Sequence, residues 1–266
     1  MVSKHRPLIF PLLAIGILSV WLIASSTSAY AAGTFAPPTM ASEPPCNTWT
    51  LSSDMQVWPN QENPNRDSCG TRKVWYFLGS ASLTRDPRTY YLLPIFHPDA
   101  GGISGLEAWM GSATSEGYHS ATPLILINST GETQFALPSI PLFPNTIYVH
   151  PAPTQMVIVG WRSPLDGVIQ IRGEIGGADL SCYYDGVLWY IDKGTTPIAS
   201  GSIAPCTTQR FRNGSHGGDL ASVSVHSGEF IFFAIHPNHE YGCDTTRLDI
   251  SISRIASRLI FPIILR

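Results

Sequence analysis

Apolar and polar residues alternate with a period of two along much of this chain, and that constrains its fold more than any other feature. In QMVIVGWRSP, Val157, Val159 and Trp161 fall on one side of an extended backbone. Ile169 and Ile171 alternate with Gln170 and Arg172, and Val187, Trp189 and Ile191 alternate with Leu188 and Tyr190. Val223 and Val225 follow the same rule, as do Leu248, Ile250 and Ile252 against Asp249, Ser251 and Ser253. Successive side chains of a strand point to opposite faces, so these runs suit half-buried strands. The 23 glycines and 22 prolines interrupt any segment long enough to hold a helical period. Short alternating runs between tight turns predict an antiparallel β-sandwich.

The run EFIFFAI departs from the rule. Ile231, Phe233 and Ile235 share one face, while Phe230, Phe232 and Ala234 share the other. A strand apolar on both faces calls for cover on both, and burial of the second face contributes about 25 cal/mol per Å². The cover is expected from the N-terminal half, Trp49 to Asn145, where KVWYFLGSASL, TYYLLPIF and PLILINST give weaker strand signals. The expected organisation is an N-terminal β-rich lobe at 47–145 packed on a sandwich at 146–256, with an apolar tail at 257–266. That tail is too short to span a bilayer. It suits completion of a sheet edge, in its own chain or in a neighbour by self-association.

The opening residues point to export. Lys4 and Arg6 precede an uncharged, mostly apolar run from Leu8 to Ala24, and Ala29-Tyr30-Ala31 supplies an A-x-A signal. This reads as a secretory signal peptide over 1–31; an uncleaved membrane anchor is the competing reading. The Pro-, Ala- and Ser-rich segment 32–46 follows as a flexible lead-in. An exported, extracellular or cell-surface protein can form disulfides. Cys182 and Cys206 lie at similar distances from the turn Asp192-Lys193-Gly194, so a hairpin there would bring them face to face. Cys46 and Cys69 would close the N-terminal region. Loops of this size stabilise by about 3 kcal/mol each in the chain-entropy model. Cys243 is left over, either as a buried free thiol or as a replacement partner in one of these pairs.

Charged residues make up 13% of the chain, against a typical value of about 25%, and the formal net charge is −3. No run of basic residues occurs, which argues against nucleic acid and anionic membranes as partners. A surface built from Ser, Thr, Asn, Gly and aromatic hydroxyls suits neutral hydrogen-bonding ligands such as sugars.

Several stretches carry a family resemblance: VHPAP (Val149 to Pro153), VIVGWRSPLDGVIQIRGEI (Val157 to Ile175), YDGVLWYIDKG (Tyr184 to Gly194), VSVHSGEFIFFAI (Val223 to Ile235) and CDTTRLDISI (Cys243 to Ile252). Together they resemble secreted bacterial jelly-roll modules of the carbohydrate-binding and galactose-binding-like kind. Asn63-Pro64-Asn65 and Trp75-Tyr76 resemble an N-terminal extension found on some of them. The resemblance implies an all-β antiparallel jelly-roll sandwich and a non-catalytic glycan-binding role, with polysaccharide as partner. It also implies a structural calcium ion at Asp185 and Asp244, where loop oxygens suit a hard cation.

An aromatic face stacks on the apolar face of a sugar ring. Trp161 and Trp189 are in phase with core positions. Trp58, Trp75, Trp109, Tyr118, Tyr183 and Tyr184 lie in loop-rich segments and are the candidate ligand-binding residues. HPNHEYGCDTT (His236 to Thr246) gathers two histidines, two acids and a cysteine. It lacks the helical H-E-x-x-H order of a zinc hydrolase. It reads as a loop between the last two strands, with Asp244 and Thr246 forming a turn through their side-chain oxygens. No nucleophile motif occurs, and GSHGG (Gly214 to Gly218) lacks the nucleophile-elbow spacing. Glu107 and Glu116 are the only acids suggested as a glycosidase pair, which leaves a glycoside-active enzyme as an alternative. A self-assembling envelope protein is another.

Overall fold

A computed structural model describes residues 46–57, 62–111, 121–181 and 183–255. The expected signal peptide, all but the last residue of the lead-in, and the apolar tail lie outside them. So do Trp58, Glu116, Tyr118 and Cys182.

The N-terminal half supplies β1 (Thr48–Thr50), a short helix α1 (Leu51–Val57), β2 (Trp75–Ser80), β3 (Tyr90–Leu92), β4 (Ile95–His97) and β5 (Leu106–Met110). It continues with β6 (Leu124–Asn128), β7 (Gln134–Leu137) and β8 (Ile140–Leu142). The second half supplies β9 (Ile147–His150), β10 (Val157–Arg162), β11 (Gly167–Gly177), β12 (Val187–Lys193) and β13 (Thr196–Ile203). It ends with β14 (Thr208–Arg210), β15 (Val223–Val225), β16 (Phe230–His236) and β17 (Thr246–Arg254).

These strands form an antiparallel β-sandwich. One sheet runs β14-β11-β17-β9-β6-β5-β4, with β1 added on β17 and β15 on β11; the other runs β13-β12-β16-β10-β2-β3. Both halves of the chain enter both sheets. β2 pairs with β10 and β6 pairs with β9, so the boundary expected near residue 145 falls between strands of a shared sandwich. The β7–β8 hairpin forms a small sheet of its own. No helix among the described residues is long and apolar enough to cross a membrane.

The alternating runs become the facing layers of the core. Val157, Val159 and Trp161 meet Ile231, Phe233 and Ile235 from β16, Trp189 and Ile191 from β12, and Leu248, Ile250 and Ile252 from β17. Trp49 packs edge-on against Trp161 at 5.2 Å between centroids. The second face of EFIFFAI is covered in part from the N-terminal half, by Leu78, Leu83 and Tyr90. Phe232 and Ala234 cluster with Leu78, Met156 and Ile158, and Tyr90 meets Phe232 edge-on at 5.2 Å. Arg85 fastens this cover, bonding Asp192 at 2.7 Å while its guanidinium lies 4.2 Å from the centre of the Tyr190 ring.

The N-terminal end is pinned covalently and by polar contacts. Cys46 and Cys69 form a disulfide. The buried indoles of Trp49 and Trp75 donate to the Asp67 and Asp54 carboxylates at 2.9 and 2.7 Å.

Candidate functional site

Three loops converge at one end of the sandwich. They join β11 to β12, β13 to β14 and β16 to β17, and the last is the HPNHEYGCDTT segment. Asp185 ties two of them together: its Oδ2 accepts the His239 N–H at 3.0 Å, and its carbonyl accepts from Asn238 Nδ2 at 3.4 Å. Gly186 lets the first loop pass close to the second. Its φ is +76°, and a Cβ there would lie 2.0 Å from the Ile203 carbonyl oxygen.

Beneath these loops sit two buried carboxylates, Asp179 and Asp244, 4% and 3% exposed. Both line a cavity of about 20 Å³, room for one water or one small ion. The Oδ2 of each has no hydrogen-bond partner among the described residues. Burial pushes the Asp244 carboxyl up to about 8, and the negative charges of Asp185 and Glu240 add to the effect. Burial also acts to raise Asp179, but donation from Cys243 and Ser181 outweighs it and holds that carboxyl below its ordinary value. The turn expected at Asp244 and Thr246 takes another form. The Thr246 hydroxyl donates to the Asp244 backbone carbonyl at 2.8 Å, and the Asp244 Oδ2 takes no part in the turn, having no hydrogen-bond partner among the described residues.

These groups can be weighed against a calcium ion. A buried carboxylate oxygen beside a void of ionic size, with two further acids close enough to raise its pKa, is a hard-oxygen setting. Asp185 contributes charge, but its Oδ2 already serves His239. Asp179, which shares the cavity with Asp244, carries no sequence signal. Among the described residues, the one trio of candidate ligand atoms within 4.8 Å of each other is Cys46, Asp67 and Cys69, and those two sulfurs are bonded together. A cation at Asp244 would therefore complete its shell with backbone carbonyls and water, as calcium commonly does.

Asp179 and Cys243 also line a second, mostly apolar cavity of about 150 Å³ between the β7–β8 hairpin and the sheet. Leu124, Leu126, Leu142 and Tyr148 form its apolar wall, and His150 and Thr245 add polar groups. Burial holds His150 below its ordinary pKa, and its Nδ1 donates to the Pro151 carbonyl at 2.7 Å. A cysteine, a histidine and an aspartate thus share one cavity. The thiol donates to Asp179, and burial together with that carboxylate pushes the Cys243 pKa up. A thiol held protonated is a poor nucleophile.

The candidate aromatics divide sharply. Trp75 lies on β2 and is fully buried; Trp109 lies on β5, 6% exposed, between Phe96 and Phe77. Neither ring offers a face to a ligand, because both sit on strands of the sandwich and point into its core. Tyr183 and Tyr184 lie on the loop between β11 and β12, 87% and 41% exposed. Tyr184 runs alongside the loop from β16 to β17, where a Cβ on Gly242 would meet its ring at 3.4 Å. Tyr241, from that same loop, is 39% exposed and packs edge-on to His150 at 6.2 Å. Cys206, on the middle loop, is disulfide-bonded; its expected partner Cys182 lies outside the described residues. Cys243 is a free thiol. Glu107 lies on β5, opposite Ile127 of β6.

No family model matches the chain, and no curated protein does. Several solved structures, among them the following two, are similar to part of it. One is the C-terminal CBM6 of LamC, a marine laminarinase from Zobellia galactanivorans, at 13% identity and a TM-score of 0.23, covering 54% of this chain and 86% of that one. The other is the K3 cleaved adhesin domain of Lys-gingipain from Porphyromonas gingivalis, at 8% identity and a TM-score of 0.26, covering 54% of this chain and 80% of that one. At these values the functional reading rests on the chain's own residues.

Proposed function

We propose that the chain is an exported, non-catalytic glycan-binding protein of the cell surface or extracellular matrix. Its saccharide would be met by the tyrosines at the loop end of the sandwich. The observation that carries this reading is the exposure of Tyr183, Tyr184 and Tyr241 on two of the loops at this end, among polar groups. An aromatic surface with a few polar groups at its edge is what a sugar ring requires. A formed disulfide agrees with an oxidising compartment. Burial and the Asp179 carboxylate, which push the Cys243 thiol pKa up, favour a binding role over thiol catalysis.

We also propose a calcium ion at Asp244, with Asp185 and Asp179 beside it. The ion would balance clustered negative charge and hold the three loops in place for the tyrosines.

The test is retention of the exported chain on a panel of neutral insoluble and soluble polysaccharides, with calcium and with a chelator. Retention on one polymer, lost in the Tyr183→Ala/Tyr184→Ala variant, is the expected result. Absence of retention on every polymer, or retention indifferent to the tyrosines, would overturn the reading. Non-retention accompanied by self-association would shift weight to an assembly role.

A further inference from the structure

The outer face of the larger sheet carries a feature that the linear sequence hides. β11 presents Gln170, Arg172 and Glu174 on the side opposite its core residues Ile171 and Ile175. The pairing register sets Glu174 between Arg210 of β14 and Asp249 of β17. Two residues along β11, Arg172 stands opposite Ser251. The turns after β14 bring Arg212 to the same place. The result is an open trough of about 640 Å³ whose lining includes Arg172, Arg210, Arg212, Glu174 and Asp249. A smaller recess of about 190 Å³ shares Glu174 and Asp249 with it and adds Arg247, Asn145 and Ser52.

Four arginines thus face two acids on a protein whose formal net charge is −3. Two of the four have internal partners. Arg210 approaches Glu174 at 4.0 Å, and Arg247 donates to the Thr208 hydroxyl at 3.3 Å. The side chains of Arg172 and Arg212 are exposed and make no ion pair or hydrogen bond among the described residues. No Trp, Tyr or Phe lines the trough or the recess, so neither can stack on the apolar face of a neutral sugar. What they offer is guanidinium groups, which bind carboxylate and sulfate through paired N–H donors, and amide and hydroxyl groups that suit sugar hydroxyls.

We propose that this trough binds an anionic saccharide, one bearing carboxylate or sulfate groups, through Arg172 and Arg212. The site shares no residue with the tyrosine end, and it rests on the glycan reading only in taking the ligand to be a sugar. An acidic peptide offers the same charges, but the polar Gln170, Ser52 and Asn145 favour a hydroxyl-rich chain. Binding would weaken with salt, because exposed charges are screened.

The test is affinity electrophoresis of the exported chain through gels containing polygalacturonate, dextran sulfate, neutral dextran or poly-L-glutamate. The expected result is stronger retardation by polygalacturonate or dextran sulfate than by neutral dextran, and none by poly-L-glutamate. Which anionic polymer acts separates carboxylate from sulfate recognition. The Arg172→Ala/Arg212→Ala variant should weaken retardation by about tenfold or more in apparent affinity. The loss caused by the arginine substitutions should be of the same size when measured in the Tyr183→Ala/Tyr184→Ala background, which separates this site from the tyrosine reading. Both arginines are exposed, so an unchanged circular dichroism spectrum and melting temperature should accompany the arginine variant. Retardation indifferent to the arginine substitutions, equal retardation by poly-L-glutamate, or none by either anionic polysaccharide would overturn the proposal.

Discussion

The Trp75 indole N–H donates to the Asp54 carboxylate at 2.7 Å, and both side chains are buried. This bond joins α1 to the strand β2, which lies beside β10 in the smaller sheet. Asp54 also accepts the Ser68 N–H at 2.9 Å, one residue before the disulfide cysteine Cys69. Burial raises the Asp54 carboxyl, and its hydrogen bonds to Trp75 and Ser68 work against that rise. The carboxylate therefore anchors helix, strand and disulfide loop at once.

Asp54→Ala should destabilise the fold by about 2–3 kcal/mol, since it leaves the indole and a backbone donor without their acceptor. Asp54→Asn retains an acceptor oxygen and should cost less. Urea titration followed by tryptophan fluorescence measures both. Equal midpoints for the alanine variant and the wild type would show that the anchor does not contribute.

Asp244 makes stability depend on pH. Its folded pKa of about 8 lies above the ordinary carboxylate value. The folded state therefore favours the protonated form, and the stability this gives is full below about pH 4 and declines as pH rises toward 8. A tenfold difference in proton affinity between the folded and unfolded states is worth about 1.4 kcal/mol. In chelator, the melting temperature should fall over this window more steeply for the wild type than for Asp244→Asn. Added calcium should raise the wild-type melting temperature most at the alkaline end, where the carboxylate is ionised. Parallel pH profiles for the two proteins in chelator would remove Asp244 as the source. A calcium effect that survives Asp244→Asn would place the ion elsewhere.

The period-two runs make β12 and β17 legible because each has one face in the core and one outside it. β6 is harder to read: all five of its residues, Leu124–Asn128, are buried. Its inner face meets the main core, and its outer face lies under the β7–β8 hairpin. Alternation vanishes when both faces are covered. The same loss of contrast makes Trp109 and Trp75 look like loop aromatics. Tyr183 and Tyr184 are visible as loop residues, but Asp179 gives no signal, since a buried carboxylate between strands follows no period. The arginines of the trough and its neighbouring recess lie on β11, β14, the turns after it and β17, so only the sheet register brings them together.

Gly173 tests that register directly. It has φ +148°, and a Cβ there would lie 2.0 Å from the Asp249 carbonyl oxygen and 2.7 Å from the Phe211 ring. β11 and β17 are the most extensively paired strands of the larger sheet. Gly173→Ala must push them apart and should cost about 3 kcal/mol or more. Gly218→Ala, where an added Cβ meets nothing within 4 Å, should stay within about 0.5 kcal/mol of the wild type. Chemical denaturation of the pair checks this. Similar stabilities for the two variants would mean that the strands do not approach as closely as this register requires.

Cys243 gives a chemical readout of the loop end. Its thiol donates to Asp179, and burial and that carboxylate together raise its pKa. Thiolate is the reacting species with disulfide reagents, so the native protein should react slowly at neutral pH although Cys243 is a free thiol. Asp179→Asn removes the negative charge, lowers the thiol pKa and should speed labelling several-fold, with the gain shrinking as pH rises and the thiol ionises in both proteins. A general loosening of the loops would raise the rate by a similar factor at every pH. The pH profile of the rate ratio therefore separates an electrostatic role for Asp179 from a merely structural one. A ratio of one throughout would mean that the carboxylate does not hold the thiol proton.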